Sequence, residues 1–422
     1  MSNQNTECRT VKNIYKYLLL MLVVSPLLSS FVTNTTILRT IELICFAIAI
    51  FNEWKFYHLR KCFVYRGFSK FLFYSLLIVS LGVVLRAEFP STFSGLGLFL
   101  TNQQGFLVYL LPFLILPLPN AKYMKDILKV FFYISLIVFP LWVINIDSLV
   151  QVGTFKAEGI GKYLPFFSAF LLGFLPFFKK KQRMIIILTW AIYLFLMLLN
   201  ARRNVSFTIC LYGILAYFVT IQKSANTQSF KSFLMLLFFF LATLLLLANL
   251  DNLASGIFSN MAGRATEDSR SEVEINFFFD FAHSPITDWI WGRGMDGGYL
   301  QDTYNVETGE ISPLRKGIET GYLYLLLKGG LLYVFSVVLI MINALFLGWK
   351  NIRKPYMLFC MLVLASHFLD LYTSTPICAF SSRSTIFWFV VSVLWQSKFS
   401  NSEMLNRHFD NKKISNEIKY KK

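Results

Sequence analysis

The chain has 422 residues, of which 56% are hydrophobic, 17% aromatic and only 15% charged, with a formal net charge of +17. An apolar share this far above the roughly 45–50% of soluble domains excludes an ordinary soluble protein. The basic excess sits in short gaps between apolar runs and in the last residues, so anionic lipid headgroups are its expected counterpart and no nucleic-acid partner is expected.

Along the chain, runs long enough to match a ~30 Å hydrocarbon core recur twelve times. They fall at about 17–32, 37–51, 71–85, 105–118, 130–144, 164–178, 184–199, 205–221, 233–247, 322–347, 356–368 and 377–395. The expected fold class is therefore all-α, a polytopic membrane bundle of about twelve transmembrane helices. Helices 1–9 occupy residues 1–247, a long extracytoplasmic loop 248–320, helices 10–12 residues 321–396, and a basic tail 397–422. The first run has no convincing small-residue cleavage site and is expected to stay as a helix rather than leave as a signal peptide. If the N-terminus, the even-numbered gaps and the tail share one face, that face holds 27 Lys and Arg and the other 12, with Lys328 inside a helix. The positive-inside rule makes the loaded face cytoplasmic, so both termini are expected there.

The six cysteines avoid the long external loop, and the four histidines are far apart, so the pattern predicts neither a disulfide framework nor a metal site, and no cofactor. The loop itself carries more than half of the chain's acidic residues together with Phe277, Phe278, Phe279, Phe281, Trp289 and Trp291, a composition that argues against disorder. From 269 to 281 the apolar positions Val273, Ile275, Phe277, Phe278 and Phe281 predict an amphipathic helix lying against the membrane or the helix bundle. Next, Gly292, Gly294, Gly297 and Gly298 predict a turn whose backbone approaches something closely. Its G-x-G-x-x-G appearance is superficial, because no strand precedes it and no βαβ unit fits.

Several residues carry candidate chemistry. Arg202 and Arg203 occupy a very short turn between the seventh and eighth expected helices, on the face the positive-inside rule disfavours. Two readings stand: snorkelling to lipid phosphates, or a guanidinium pair gripping a phosphate or pyrophosphate. Arg264, Arg270, Arg293 and Arg315, with Arg383 near the outer end of the last helix, are individually expected as salt-bridged surface groups, but as a set they make a charged external cavity. Tyr299, Tyr304, Tyr322 and Tyr324 interleave with them, offering faces for sugar rings or an interfacial aromatic belt. Glu319 lies at the mouth of the tenth helix, where it either caps the helix or takes a proton from a hydroxyl. Lys328 and Asp370 are ionisable groups in or beside apolar runs and so functional candidates, whereas His367 reads as structural. If Glu319 is not the base, Asp296, His283 and Asp370 are next in line.

Taken in order, the arginine pair, the long loop, Ser269-Arg270, Gly292-Arg293-Gly294, Glu319-Thr320-Gly321-Tyr322-Leu323 and Gly329-Gly330-Leu331 resemble the bacterial O-antigen polymerase and O-antigen ligase superfamily over roughly residues 185–345. The first six helices match it only as generic spans. In register with Tyr322-Leu323, the His-Asn pair of family ligases falls on Glu319 and Thr320, and the family's Ser-Arg falls on Ala201 and Arg202, with Arg203 as the alternative. The resemblance implies a metal-independent, inverting glycosyltransferase at the outer face of a bacterial inner membrane, using a glycan on undecaprenyl pyrophosphate to build O-antigen, capsule or exopolysaccharide. It implies Glu319, Arg202 and Arg203 as catalytic residues, and Arg264, Arg270, Arg293, Tyr299, Tyr322 and Arg383 as substrate-binding residues. Partners implied are the lipid-linked glycan, membrane lipids and a chain-length regulator of polysaccharide assembly. With the ligase histidine absent, polymerisation is the favoured reading and ligation to the lipid A core of lipopolysaccharide the alternative. A flippase or transporter ranks lower, because transporters usually show two similar halves and this chain has one long loop breaking the symmetry.

Overall fold

The protein is described here by a computed structural model covering residues 2–28, 35–59, 65, 67–102, 104–144, 166–199, 203–223, 269–304, 311–350, 354–374 and 377–396. It is mostly helical. In chain order the helices are α1 (Ser2–Leu28), α2 (Thr35–Leu59), α3 (Phe68–Val84), α4 (Phe93–Thr101), α5 (Phe106–Ile115), α6 (Asn120–Ile144) and α7 (Phe166–Leu171), which runs on as a 3₁₀ turn over Leu172–Phe177. Then follow α8 (Lys180–Leu199), α9 (Arg203–Lys223), α10 (Ser269–Ala282), α11 (Ile286–Trp291), strands β1 (Tyr299–Tyr304) and β2 (Ile311–Arg315), α12 (Gly321–Trp349), α13 (Pro355–Thr373) and α14 (Ser382–Trp395).

The last helix organises the bundle. Every side chain of α14 is buried, the mark of a helix that is apolar all round and packed on all sides. It starts with a reciprocal cap in which Ser381 and Ser384 satisfy each other's backbone N–H groups. Around it pack α5, α6, α7, α12 and α13, while α9 packs on α7 and α13, α3 on α12, and α1 pairs with α2 and α6. Phe131, Phe167, Phe170 and Phe389 meet at centroid separations of 4.8 to 6.3 Å and fill the centre.

Two of the described helices, Gly321–Trp349 and Pro355–Tyr372, are long and apolar enough to cross a membrane, and a third span results if the pair Gly95–Thr101 and Phe106–Ile115, bent by 47°, is taken as one. Phe68–Val84, Phe166–Phe177, Asn204–Val219 and Ser382–Trp395 are shorter apolar helices. Twelve full-length spans are therefore more than the described residues establish. The expected helix at 105–118 shrinks to ten residues with Pro112 inside it, and that at 164–178 changes to a 3₁₀ turn containing Pro176; proline removes a backbone donor and clashes with the preceding turn. The expected span at 233–247 lies outside the described residues.

The all-α reading holds in outline, and one small sheet is added to it. β1 and β2 form a two-stranded antiparallel hairpin in which Tyr299 pairs with Arg315 and Tyr304 with Ile311, with a bulge between Leu300 and Thr303. Pro313 is tolerated because each strand of a two-stranded sheet has a free edge.

The tenth apolar run is not one straight rod. α12 spans 29 residues, but Gly330 sits at φ 66°, ψ −168°, far from helical values, and breaks it. Residues 331–349 alone extend roughly 28 Å at 1.5 Å per residue, close to the hydrocarbon thickness. Residues 321–329 form a separate half-helix, and what fills the break is the loop that follows α11.

Candidate functional site

The predicted amphipathic helix is α10, and the glycine-rich turn after α11 is the close approach that its sequence required. At Gly292 (φ 69°) a Cβ would stand 2.5 Å from the backbone nitrogens of Gly329 and Gly330; at Gly330 one would stand 2.3 Å from the carbonyl group of Ile290. The two glycines are thus stacked backbone to backbone, which no side chain permits. The Arg293 N–H donates to Leu327 O (2.7 Å) and the Gly294 N–H to Lys328 O (2.9 Å), satisfying the carbonyls that the break at Gly330 leaves without helical partners. Lys328 is 2% exposed, and its ammonium donates to Met295 O (2.9 Å) and Gly297 O (2.7 Å), so it serves here as a clamp on the loop. From the other side, Met295 N–H donates to Val83 O of α3 (3.2 Å), and the Arg86 guanidinium reaches Gly292 O (2.6 Å) and Trp291 O. Burial holds Arg86 below the usual arginine range, with Asp288 nearby opposing the shift.

Arg293, expected as an external substrate-binding cation, is committed inside this loop. Its Nη1 donates to Asp280 (2.5 Å) and Gly298 O (2.7 Å), its Nε to Asp288 (2.9 Å) and its Nη2 to Ser284, and the guanidinium lies 4.9 Å from the Phe281 ring. A planar fork with this many fixed partners ties α10, α11 and the glycine turn together. Tyr299 also differs from expectation: it is 0% exposed, with its ring edge-on to Phe277 at 5.5 Å, so no face is open to stack a sugar. Burial pushes its phenol up to about 12, against the pull of Arg315 and with the help of Glu319, and its hydroxyl donates to Gln301 (2.9 Å).

A second centre lies at the ends of α9, α13 and α14. The Arg383 guanidinium donates from Nη2 to Asp370 and to Thr208 Oγ1 (3.2 Å) and sits 4.7 Å from the Phe166 ring. Ser374 Oγ donates to the other carboxylate oxygen of Asp370 (2.6 Å). The hydroxyl of Tyr212 and Nε2 of His367 are 3.1 Å apart; with Tyr212 donating, the imidazole carries its proton on Nδ1, which faces Asp370 Oδ2 at 3.7 Å. Arg383, Asp370 and His367 are 8%, 7% and 0% exposed. Among the described residues, Arg383 Nε and His367 Nδ1 are buried without a hydrogen-bond partner. An ion pair this far from water costs several kcal/mol of desolvation per ion, which its own attraction rarely exceeds, so its place in an apolar bundle makes it a candidate functional site.

Glu319 is exposed and precedes Thr320, which holds the N-cap position of α12, so Glu319 stands just outside the helix. Thr320 Oγ1 donates to Glu274 of α10 (2.5 Å). Half-buried Tyr322 donates to Phe368 O (3.1 Å), and a Cβ on Gly321 would meet Ser374 O at 2.6 Å. Glu319 is therefore joined through two residues of backbone to the Asp370 end of α13. Arg203 is the first residue of α9 and Arg270 the second of α10; Arg202 and Arg264 lie outside the described residues.

Sequence reasoning flagged Arg383 and Asp370 separately but missed Thr208, Tyr212 and Ser374 as their partners, and it missed the hold of Arg86 on the loop. The one available signal for Arg86 was a cation at the outer end of an expected span. No protein-family model, curated protein or solved structure matches the chain.

Proposed function

We propose that the chain is a membrane glycosyltransferase that joins undecaprenyl-pyrophosphate-linked oligosaccharide repeats into a surface polysaccharide, at the outer face of a bacterial inner membrane it crosses twelve times with both termini cytoplasmic. The observation that carries the reading is the Arg383–Thr208 contact. It ties a membrane-buried guanidinium to the helix that Arg203 opens, about 7.5 Å further along the axis, so that the first residue of that helix and the buried cation belong to one end of the bundle. Glu319 belongs to that end as well, through Gly321 against Ser374.

In this reading the arginines neutralise the pyrophosphate as the glycosidic bond breaks. The unpaired Nε of Arg383, once substrate enters the bundle end, supplies a further N–H to a phosphate or sugar oxygen. Glu319 takes the proton of the acceptor hydroxyl, and direct displacement inverts the anomeric carbon. Polymerisation is preferred to ligation because Glu319 and Thr320 stand where ligases carry His-Asn.

The test is the surface polysaccharide of a strain whose gene is replaced by one carrying Arg202→Lys and Arg203→Lys, which keeps the charge and removes the fork. Lipid core capped with single repeats, at unchanged membrane abundance of the protein, is the expected result. Full-length chains on the core refute the reading, and long chains stranded on the lipid carrier convert it to ligation.

A further inference from the structure

Two stripes of exposed apolar side chains run along the bundle and meet at the external loop. On α3 the stripe is Ile78 (63%) and Leu81 (50%), continued by Leu85 (72%) at its C-cap; on α12 it is Leu331 (38%), Phe335 (58%), Leu339 (41%) and Ile342 (51%). On helices this apolar, side chains exposed at three- and four-residue steps face acyl chains. Both stripes run into α11. Leu85 is followed by Arg86, which holds the Trp291 and Gly292 carbonyls, and Leu331 by sequence adjoins Gly330, which lies against the Ile290 carbonyl.

The apolar surface does not stop there. α11 exposes Ile286 (70%), Ile290 (39%) and Trp291 (45%), and α10 exposes Ile275 (66%), Phe278 (47%) and Phe279 (69%). Spacings of three and four residues put the α10 set on one side of the helix, while Phe277 and Phe281, fully buried and stacked at 4.4 Å, occupy another, Phe277 packing on Tyr299 and Phe281 on Trp289. α10 is thus apolar both towards the hairpin and away from it, and its outward side extends the surface that the spans present to lipid. Six large apolar side chains exposed together outside the spans need a cover.

We propose that α10 and α11 are a membrane-surface anchor, with their outward face seated in the outer leaflet and Trp291 at headgroup level. The occupant of this face is phospholipid, because the face begins where two lipid-facing stripes end, with α11 held against α3 through Arg86 and against α12 through Gly330. An amphipathic helix in this setting buries its apolar side roughly 5–10 Å into the boundary between headgroups and acyl chains. The inference rests on the membrane setting and not on the glycosyltransferase reading.

A photo-crosslinking benzophenone side chain placed at Phe279, at Ile275 or, as the reference for lipid contact, at Phe335, in the full chain in its native membrane, tests this. On irradiation, positions 279 and 275 are expected to give the same product as 335, the chain plus the mass of one phospholipid. An adduct with a second copy of the chain, an adduct with another protein, or no adduct at 279 and 275 while 335 captures lipid, overturns it.

Discussion

Replacing Gly330 with alanine tests the interlock between loop and broken helix. At φ 66°, ψ −168° the backbone is in a region that side-chain-bearing residues enter at a cost of about 1–3 kcal/mol. The added Cβ would also stand 2.3 Å from both atoms of the Ile290 carbonyl, and backbone cannot swing away as a flexible side chain does. Overpacking of this kind adds about 1–3 kcal/mol, so the whole destabilisation is about 2–6 kcal/mol. Gly82 is the matched control: it lies within α3 with nothing within 4 Å of its built Cβ, so alanine there is expected to be neutral or to stabilise by up to about 1 kcal/mol through helix propensity. Both variants are compared with wild type by thermal unfolding in detergent micelles, followed by intrinsic fluorescence and by retention of monodisperse protein after heating. The expected order is Gly330→Ala well below wild type and Gly82→Ala at or above it. Equal melting of Gly330→Ala and wild type would refute the interlock, and with it the role of the glycine loop as a part of the helix bundle.

Three further outcomes follow from the same geometry. Asp370→Asn leaves the Arg383 guanidinium buried without its counter-ion and is expected to cost about 3–5 kcal/mol, whereas Asp370→Leu combined with Arg383→Met is expected to recover most of that stability while abolishing polysaccharide; a double variant that melts no higher than the single one refutes the pairing. Glu319→Gln is expected to lower chain formation by roughly 10² to 10⁴ in rate at normal membrane abundance, and unchanged chain-length distribution removes Glu319 as the base. Arg293→Lys keeps the charge but gives up the fork across Asp280, Asp288, Ser284 and Gly298; faster proteolysis of the segment from α10 to β1 is expected, and wild-type protease resistance would show that the fork holds nothing together.

What was legible in the sequence was periodic or local. The 3.6-residue spacing from Val273 to Phe281 gave α10 to within a residue of its end, and four glycines in seven residues marked the turn that docks on α12. What was not legible was distant pairing. Nothing local links Arg86 to carbonyls 205 and 206 residues away, or Tyr212 to a histidine 155 residues on. The hairpin escaped because Tyr299–Tyr304 and Ile311–Arg315 are short and only weakly alternating. The break in α12 escaped because hydropathy sums side chains and is blind to φ and ψ: a 26-residue run of high mean hydropathy, Tyr322 to Leu347, looks like one rod whether or not a glycine bends it. At the candidate site, residue types at the ends of spans drew attention to Arg383, Asp370 and Glu319, but only folding brings α9, α13 and α14 close enough for Thr208 and Tyr212 to join them.

The loop that fills the break in α12 is an integral part of that helix's wiring. Leu327 and Lys328 hand their carbonyls to loop N–H groups instead of to the next turn, and Lys328 returns the favour to two loop carbonyls. Lifting the loop away would bare these groups in a buried setting at about 1–3 kcal/mol each. Straightening α12 would re-partner its own carbonyls but would push backbone into the space that Gly292 now fills. Departure of the loop and straightening of the helix are therefore one event, and anything that displaced the Trp291–Tyr299 segment would, by the same stroke, change the length of unbroken helix in α12.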